Sequence, residues 1–167
     1  MSEVERTLIL FKPDTLQRGH VGEILSRFER VGLKIVGTKM LAPDKKHYHT
    51  HYETIGQVIT RRGQAVFDLL LESMTNGPVI AMVLEGVEAV ELVRKLVGST
   101  EPKSAAPGTI RGDFSHMSYA YADNANKAIS NLIHASGDSD EAKQEIAHWF
   151  KDSELFDYSV LNEKFTR

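Results

Sequence analysis

Apolar positions along this chain follow two alternating rhythms, and each change of rhythm marks an element. Thr7 to Phe11 is a short apolar run that reads as a buried strand; Lys12-Pro13-Asp14 stops it, because proline brings no N–H to a strand interior. From Gly22 to Val31 the apolar residues Ile24, Leu25, Phe28 and Val31 fall at helical spacing, with Gly32 as the helix end. Leu33 to Leu41, rich in β-branched residues, predicts a second strand, and Asp44 is placed to cap a helix running toward Tyr52. Val66, Phe67, Leu70 and Met74 mark a further helix that Asn76-Gly77-Pro78 breaks. Val79 to Leu84 is nearly all apolar, the mark of a strand buried on both faces. Val87 to Val97 returns to helical spacing through Val90, Val93, Leu96 and Val97, and ends at Gly98. Ser99 to Phe114 has no period and is expected to be a long loop, the kind that usually carries function in a compact domain. Asn131 to Ala135 reads as a last short strand. Asp140 to Phe150 reads as a final helix with Ala142, Ile146, Trp149 and Phe150 inward, and Lys151 to Arg167 as a surface tail.

The order of the main elements is β-α-β, helices, then β-α-β. This predicts an α+β fold: a ferredoxin-like sandwich in which a four-stranded antiparallel sheet (βαββαβ) is covered by helices. The 167 residues fit one domain, and no linker or repeat divides residues 1–167. With 41% hydrophobic and 26% charged residues the composition is that of a globular protein. There are no cysteines, which removes disulfides, thiolate metal sites and cysteine nucleophiles and agrees with a cytoplasmic setting. The segment Met1 to Arg6 is polar, and Leu8-Ile9-Leu10-Phe11 is too short for a signal peptide or a membrane span. The formal charge of -3, with no basic stretch longer than Lys45-Lys46 or Arg61-Arg62, argues against a nucleic-acid partner, since phosphate contacts dominate that affinity.

Neither a G-x-x-x-x-G-K-[ST] loop nor a G-x-G-x-x-G turn is present, so any phosphate must be held by side chains. Lys12 at the end of the first strand, Arg94 on the helix after the buried strand, and Thr100 and Arg111 around the long loop are the candidates. Each alone is equally a solvated surface group. His134 stands where an apolar strand ends, with Glu145 eleven positions later on the next helix; a carboxylate returning to a histidine fixes its tautomer and raises its nucleophilicity. The same spacing also fits a core histidine bonded to a backbone carbonyl. Of His47, His49 and His51, the first and last share a helix face as a metal pair would, but no third ligand is evident, and a solvated helix face is the preferred reading.

Longer motifs then narrow these choices. Glu5-Arg6-Thr7, Phe11-Lys12-Pro13-Asp14, Gln17-Arg18-Gly19, Val21-Gly22-Glu23-Ile24, Asn76-Gly77-Pro78-Val79, the run Pro107 to Phe114, and Asn131-Leu132-Ile133-His134-Ala135-Ser136 resemble, in order, the motifs of nucleoside diphosphate kinases from about Glu5 to Phe150. The resemblance implies ping-pong transfer of a γ-phosphate through a phosphohistidine at His134. It implies Glu145 behind the ring, Tyr52 and Lys12 beside the transferred phosphate, and Arg94, Thr100 and Arg111 on the phosphates. Asn131 would hold the sugar hydroxyl, Ser136 would support the histidine, and Arg18 would be structural. It further implies Mg²⁺ carried by the nucleotide phosphates with no direct protein ligand, nucleoside tri- and diphosphates as substrates, and a homo-oligomer, commonly a hexamer and sometimes a tetramer or dimer. An inactive relative serving as a nucleotide-binding or scaffold protein is the alternative. It is disfavoured because Lys12, Arg94, Arg111, Asn131 and His134 are all in place.

Three departures from that pattern stand out. Where the family stacks the base on a phenylalanine, alignment offers Val66 with Phe67 next to it, because the segment 56–63 is longer than usual. The segment 115–126 is also longer; its aromatic residues predict order, and it is expected to pack against a neighbouring subunit. Ala135 stands where glycine is frequent and Ser130 where a basic residue is common.

Overall fold

The computed structural model describes residues 4–167, so Met1, Ser2 and Glu3 of the polar N-terminal segment lie outside the described residues. Four strands, β1 (Val4–Phe11), β2 (Lys34–Leu41), β3 (Val79–Val87) and β4 (Ile133–Ala135), form one antiparallel sheet in the order β2-β3-β1-β4. The expected ferredoxin-like sandwich is therefore what forms. The pleat explains why the central strands read as unbroken apolar runs: alternate side chains of β1 enter different cores. Ile9 and Phe11 pack with Met82 and Leu84 of β3 under helices α2 (Val21–Arg30) and α6 (Ala89–Val97). Leu8 and Leu10 pack on the opposite face with Ala81, Val83, Tyr48, Phe67 and Trp149. That second layer is built by α3 (Lys45–His49), α5 (Gln64–Met74) and α9 (Ser139–Trp149). Each large apolar side chain removed from water stabilises the fold by about 1.5–3 kcal/mol.

The remaining helices are short: α1 (Pro13–Gln17), α4 (Val58–Arg62), α7 (Ile110–Phe114), α8 (Tyr119–Asn124) and α10 (Glu163–Thr166). One of them corrects the expectation of a continuous loop over 99–114, and another gives the segment 115–126 the order its aromatic residues predict. In the stretch 99–114, Pro102–Ser104 makes a 3₁₀ turn and α7 follows, with the Thr109 side chain accepting from Gly112 N–H. In the segment 115–126, Ser118 caps α8 by accepting from Tyr121 N–H. Such caps satisfy backbone donors that a one-turn helix leaves open.

The helix that Asp44 starts does not simply run to Tyr52. Asp44 accepts from His47 N–H as expected, but past His49 the chain widens into a π-helical stretch, Thr50–Ile55. Wide turns of this kind are frequent at functional sites, and this one carries His51 and Tyr52 inward. The histidine cluster is thus no solvated face. His51 is buried, His47 stacks on His148 at 3.9 Å, and only His49 is exposed.

The C-terminal tail lies on the surface but is tied down along β2, an edge strand. Phe156 N–H donates to Val36 O at 2.9 Å, Tyr158 Oη–H donates to Ile35 O at 2.6 Å, and Lys34 pairs with Asp157. Gly37 permits this approach, since a Cβ there would meet Leu155 Cδ2 at 2.9 Å. Among the described residues no helix is long and apolar enough to cross a membrane.

Candidate active site

The site grows from the corner where β1 ends. Lys12 N–H donates to Leu132 O at 2.9 Å, Thr15 Oγ1–H donates to the same carbonyl, and Asp14 Oδ2 accepts from Leu132 N–H. These three contacts hold Leu132, fully buried, at φ 72°. A left-handed leucine costs about 1–2 kcal/mol, and such residues gather where a chain is being aimed at a site. Two residues on, His134 sits on β4 opposite Leu10.

The His134 ring is fixed from behind. Its Nε2 lies 2.7 Å from Oε1 of Glu145, which is fully buried on α9, and Ser136 Oγ–H donates to the other carboxylate oxygen at 2.6 Å. An ionised carboxylate only accepts, so the ring proton belongs on Nε2 and Nδ1 keeps its lone pair. A third layer follows: Trp149 Nε1–H donates to His51 Nδ1 at 3.1 Å, and the His51 ring stands edge-on to His134 with centroids 4.5 Å apart. Burial above all holds the His51 pKa well below the usual histidine value, so His51 is neutral. The remaining His51 nitrogen, Nε2, is buried without a partner.

In front of the ring lies a cavity of about 320 Å³. Its polar end brings together Lys12, Tyr52, Arg94, Thr100, Arg111 and Asn131. Lys12 Nζ donates to Asn131 Oδ1 at 2.7 Å, and Asn131 Nδ2 donates to Thr100 O at 2.9 Å. Burial, and after it the charge of Arg111, push the Lys12 pKa down to about 8 against the opposing pull of Asp14. Arg111 is buried too, which brings its pKa to about 10. Its Nε, Nη1 and Nη2 donate to the carbonyls of Asn131, Gly98 and Ile133 at 3.1, 3.0 and 2.6 Å. Arg94 is exposed and reaches Ser136 O at 3.5 Å. The Tyr52 hydroxyl is buried with no partner, and burial raises its pKa well above that of free tyrosine.

Val66 and Phe67 face different surroundings. Val66 lines the cavity together with Val58, Leu70 and Ile129. Phe67 faces the other way into the core, edge-on to His49 at 5.4 Å, because neighbouring positions on a helix point about 100° apart. Ser136 acts from behind the wall through Glu145. Both longer segments reach the cavity: Arg61 and Arg62 from one and Tyr119 from the other line its mouth. Of the second segment, Tyr119 is the residue that lines the cavity. Sequence reasoning gave no place at the site to His51, Trp149 or Glu141, the last of which lines the cavity. The adjacency of His51 to Tyr52 was the available signal for the first, while the others are brought in by α9.

A family model described as nucleoside diphosphate kinase matches residues 5–155. The chain belongs to the nucleoside diphosphate kinase family. It is 47% identical to a nucleoside diphosphate kinase of Borreliella burgdorferi over 93% of this chain and 92% of that protein. It is 46% identical to one of Pyrococcus furiosus over 100% and 96%. Among solved structures, a transition-state mimic of the Borrelia burgdorferi nucleoside diphosphate kinase with bound vanadate and ADP superposes with a TM-score of 0.94 at 45% identity, covering 98% of this chain and 96% of the other. The Halobacterium salinarum nucleoside diphosphate kinase in complex with CDP gives 0.82 at 40% identity, with 98% of each chain covered. Membership makes the chain a phosphotransferase by family.

Proposed function

We propose that this chain transfers the γ-phosphate of a nucleoside triphosphate to a nucleoside diphosphate through a phosphohistidine at Nδ1 of His134. The observation that carries the reading is the commitment of Nε2 to buried Glu145, which leaves Nδ1 as the free lone pair of a ring that lines a cation-rich cavity. Nδ1 attacks the γ-phosphorus, the bond to the bridging oxygen breaks, and the diphosphate leaves with that electron pair. Positive charge gathered on the imidazole is met by Glu145 across the Nε2–H bond. The acceptor then enters the same cavity, and its terminal oxygen displaces Nδ1 from phosphorus. Phosphoryl transfer asks mainly for in-line placement and neutralisation of charge. Lys12, Arg94, Thr100 and Arg111 supply the phosphate contacts, with Tyr52 beside the transferred group. Asn131 and Lys12 take the sugar hydroxyl, and Val66 gives the base an apolar platform.

Mg²⁺ enters this reading as part of the nucleotide substrate. Among the described residues the one trio of side chains able to hold a metal is His51, His134 and Glu145, and Glu145 is already engaged by the ring and by Ser136. The polar end of the cavity carries cations rather than a carboxylate cage, which suits a metal whose oxygen donors come from phosphates and water. It supplies further charge neutralisation there. A homo-oligomer belongs to the same reading, and Met40, Leu161 and Phe165, 63, 71 and 83% exposed, are the apolar side chains it would have to cover first.

The test is to incubate the protein with γ-labelled ATP and Mg²⁺ and then with unlabelled diphosphate. Acid-labile label on the protein that chases onto the diphosphate, and is absent from His134→Ala, is expected. Absence of label on the intact protein would replace this reading with that of an inactive nucleotide-binding relative.

A further inference from the structure

The two segments that depart from the family pattern meet across the mouth of the cavity. The guanidinium carbon of Arg62, the last residue of α4, lies 4.2 Å above the centroid of the Tyr119 ring at the start of α8. The two sides differ in how firmly they are held. Tyr119 is fixed: its N–H donates to Glu101 Oε1 at 2.9 Å, and the adjoining Met117 carbonyl accepts from Lys103 N–H at 3.1 Å. In contrast, α4 contains no buried residue and lies between two left-handed backbone positions, Gln57 at φ 52° and Gly63 at φ 90°. Among the described residues the Arg62 guanidinium has no carboxylate and no hydrogen-bond partner; the ring is its contact.

Its neighbours along the chain place it within the cavity wall. Val58, Arg62, Val66 and Leu70 recur every fourth residue, and all four line the cavity. Three of them form its apolar end. Arg62 is thus close along the chain to the apolar lining residues Val58 and Val66, which on the nucleotide reading are those expected to meet the base. Val66 offers that base only an isopropyl group, whereas a guanidinium is planar, weakly hydrated and stacks on aromatic faces.

We propose that Arg62, backed by Tyr119, is a base-stacking residue of this chain, its guanidinium taking the flat face of the nucleobase that Val66 is too small to cover. The inference rests on the nucleotide reading of the cavity. Stacking of a cation on a π-face grows with the size and electron richness of the ring, so purine nucleotides gain more than pyrimidine nucleotides.

Calorimetric titration of ADP, GDP and CDP into the wild type and into Arg62→Ala, Arg62→Lys and Tyr119→Ala tests this. Arg62→Ala is expected to weaken purine diphosphates about fivefold, as cation–π contacts at half-exposed sites do, and CDP clearly less. Arg62→Lys keeps the charge but not the plane and should not restore the purine preference; Tyr119→Ala should lose part of it by unseating the guanidinium. Equal weakening of all three ligands with rescue by lysine would make Arg62 a phosphate contact and overturn the proposal, as would unchanged affinities. Label transfer to His134 in the wild type is followed in parallel: its absence counts against the nucleotide reading itself, whereas its presence with flat Arg62 data counts against the stacking role alone.

Discussion

At the scale of single residues, the bond between His134 Nε2 and Glu145 fixes which ring nitrogen keeps its lone pair. Glu145→Gln keeps the shape but offers a neutral oxygen to the ring, or an NH₂ that turns the tautomer over. The phosphorylation rate of His134 is expected to fall on the order of tenfold to a hundredfold, read by rapid-quench labelling; an unchanged rate would assign Glu145 to the core alone. Lys12 gives a second expectation with a definite sign. Its pKa of about 8, set first by burial, means that the free protein loses this cation as pH rises through that value. Hence kcat/KM should fall above about pH 8. A bound polyanion favours the charged lysine, so the corresponding limb in kcat should lie at higher pH, and Lys12→Arg should abolish both limbs. Spacing made His134 and Glu145 candidates, as a strand end did Lys12, but each had an ordinary structural reading beside it, and only the longer motifs singled them out. His51 was not singled out, because only the folded chain brings it against Trp149 and His134.

At the scale of elements, the corner from Lys12 to Thr15 deserves its own test because it braces Leu132 in a left-handed conformation. Thr15→Val removes the hydroxyl donated to Leu132 O with little change of shape, while Lys12 N–H still serves that carbonyl. The expected loss is about 1 kcal/mol, or a melting point lower by roughly 2–4 °C. A slower phosphorylation of His134 should accompany it; a stability loss without that slowing would confine the corner to folding. The strands and long helices were legible because apolar periodicity over eight or more residues survives noise. Helices α7 and α8 were not, since one turn is too short to show a period, and each owes its existence to a single capping side chain, Thr109 or Ser118. The π-helical turn left no mark at all in the spacing. It was nonetheless the feature that reversed the reading of the histidine cluster.

At the scale of the whole molecule, burial of neutral histidines makes the fold sensitive to acid. Burial, and then His148, brings His47 to about 4, and His51 is held well below its usual value. The unfolded chain binds these protons near pH 6.5 and the folded one does not, so stability is greatest above that pH and falls as pH drops through it. Thermal melts between pH 7 and 5 should show this decline, and His47→Gln should flatten it; a slope identical in the variant would exclude His47 as a contributor. The architecture itself was legible from element order, but how the sheet ends was not, because both borders are closed by long-range contacts. The tail covers β2. Beside β4 the closure falls to Arg111, whose guanidinium stands where the amides of a fifth strand would otherwise donate. A guanidinium owns five N–H bonds, and the carbonyls of Asn131, Gly98 and Ile133 engage one on each nitrogen. One N–H then remains on each terminal nitrogen, so this side chain keeps two donors for an anion without letting go of the strand that carries His134.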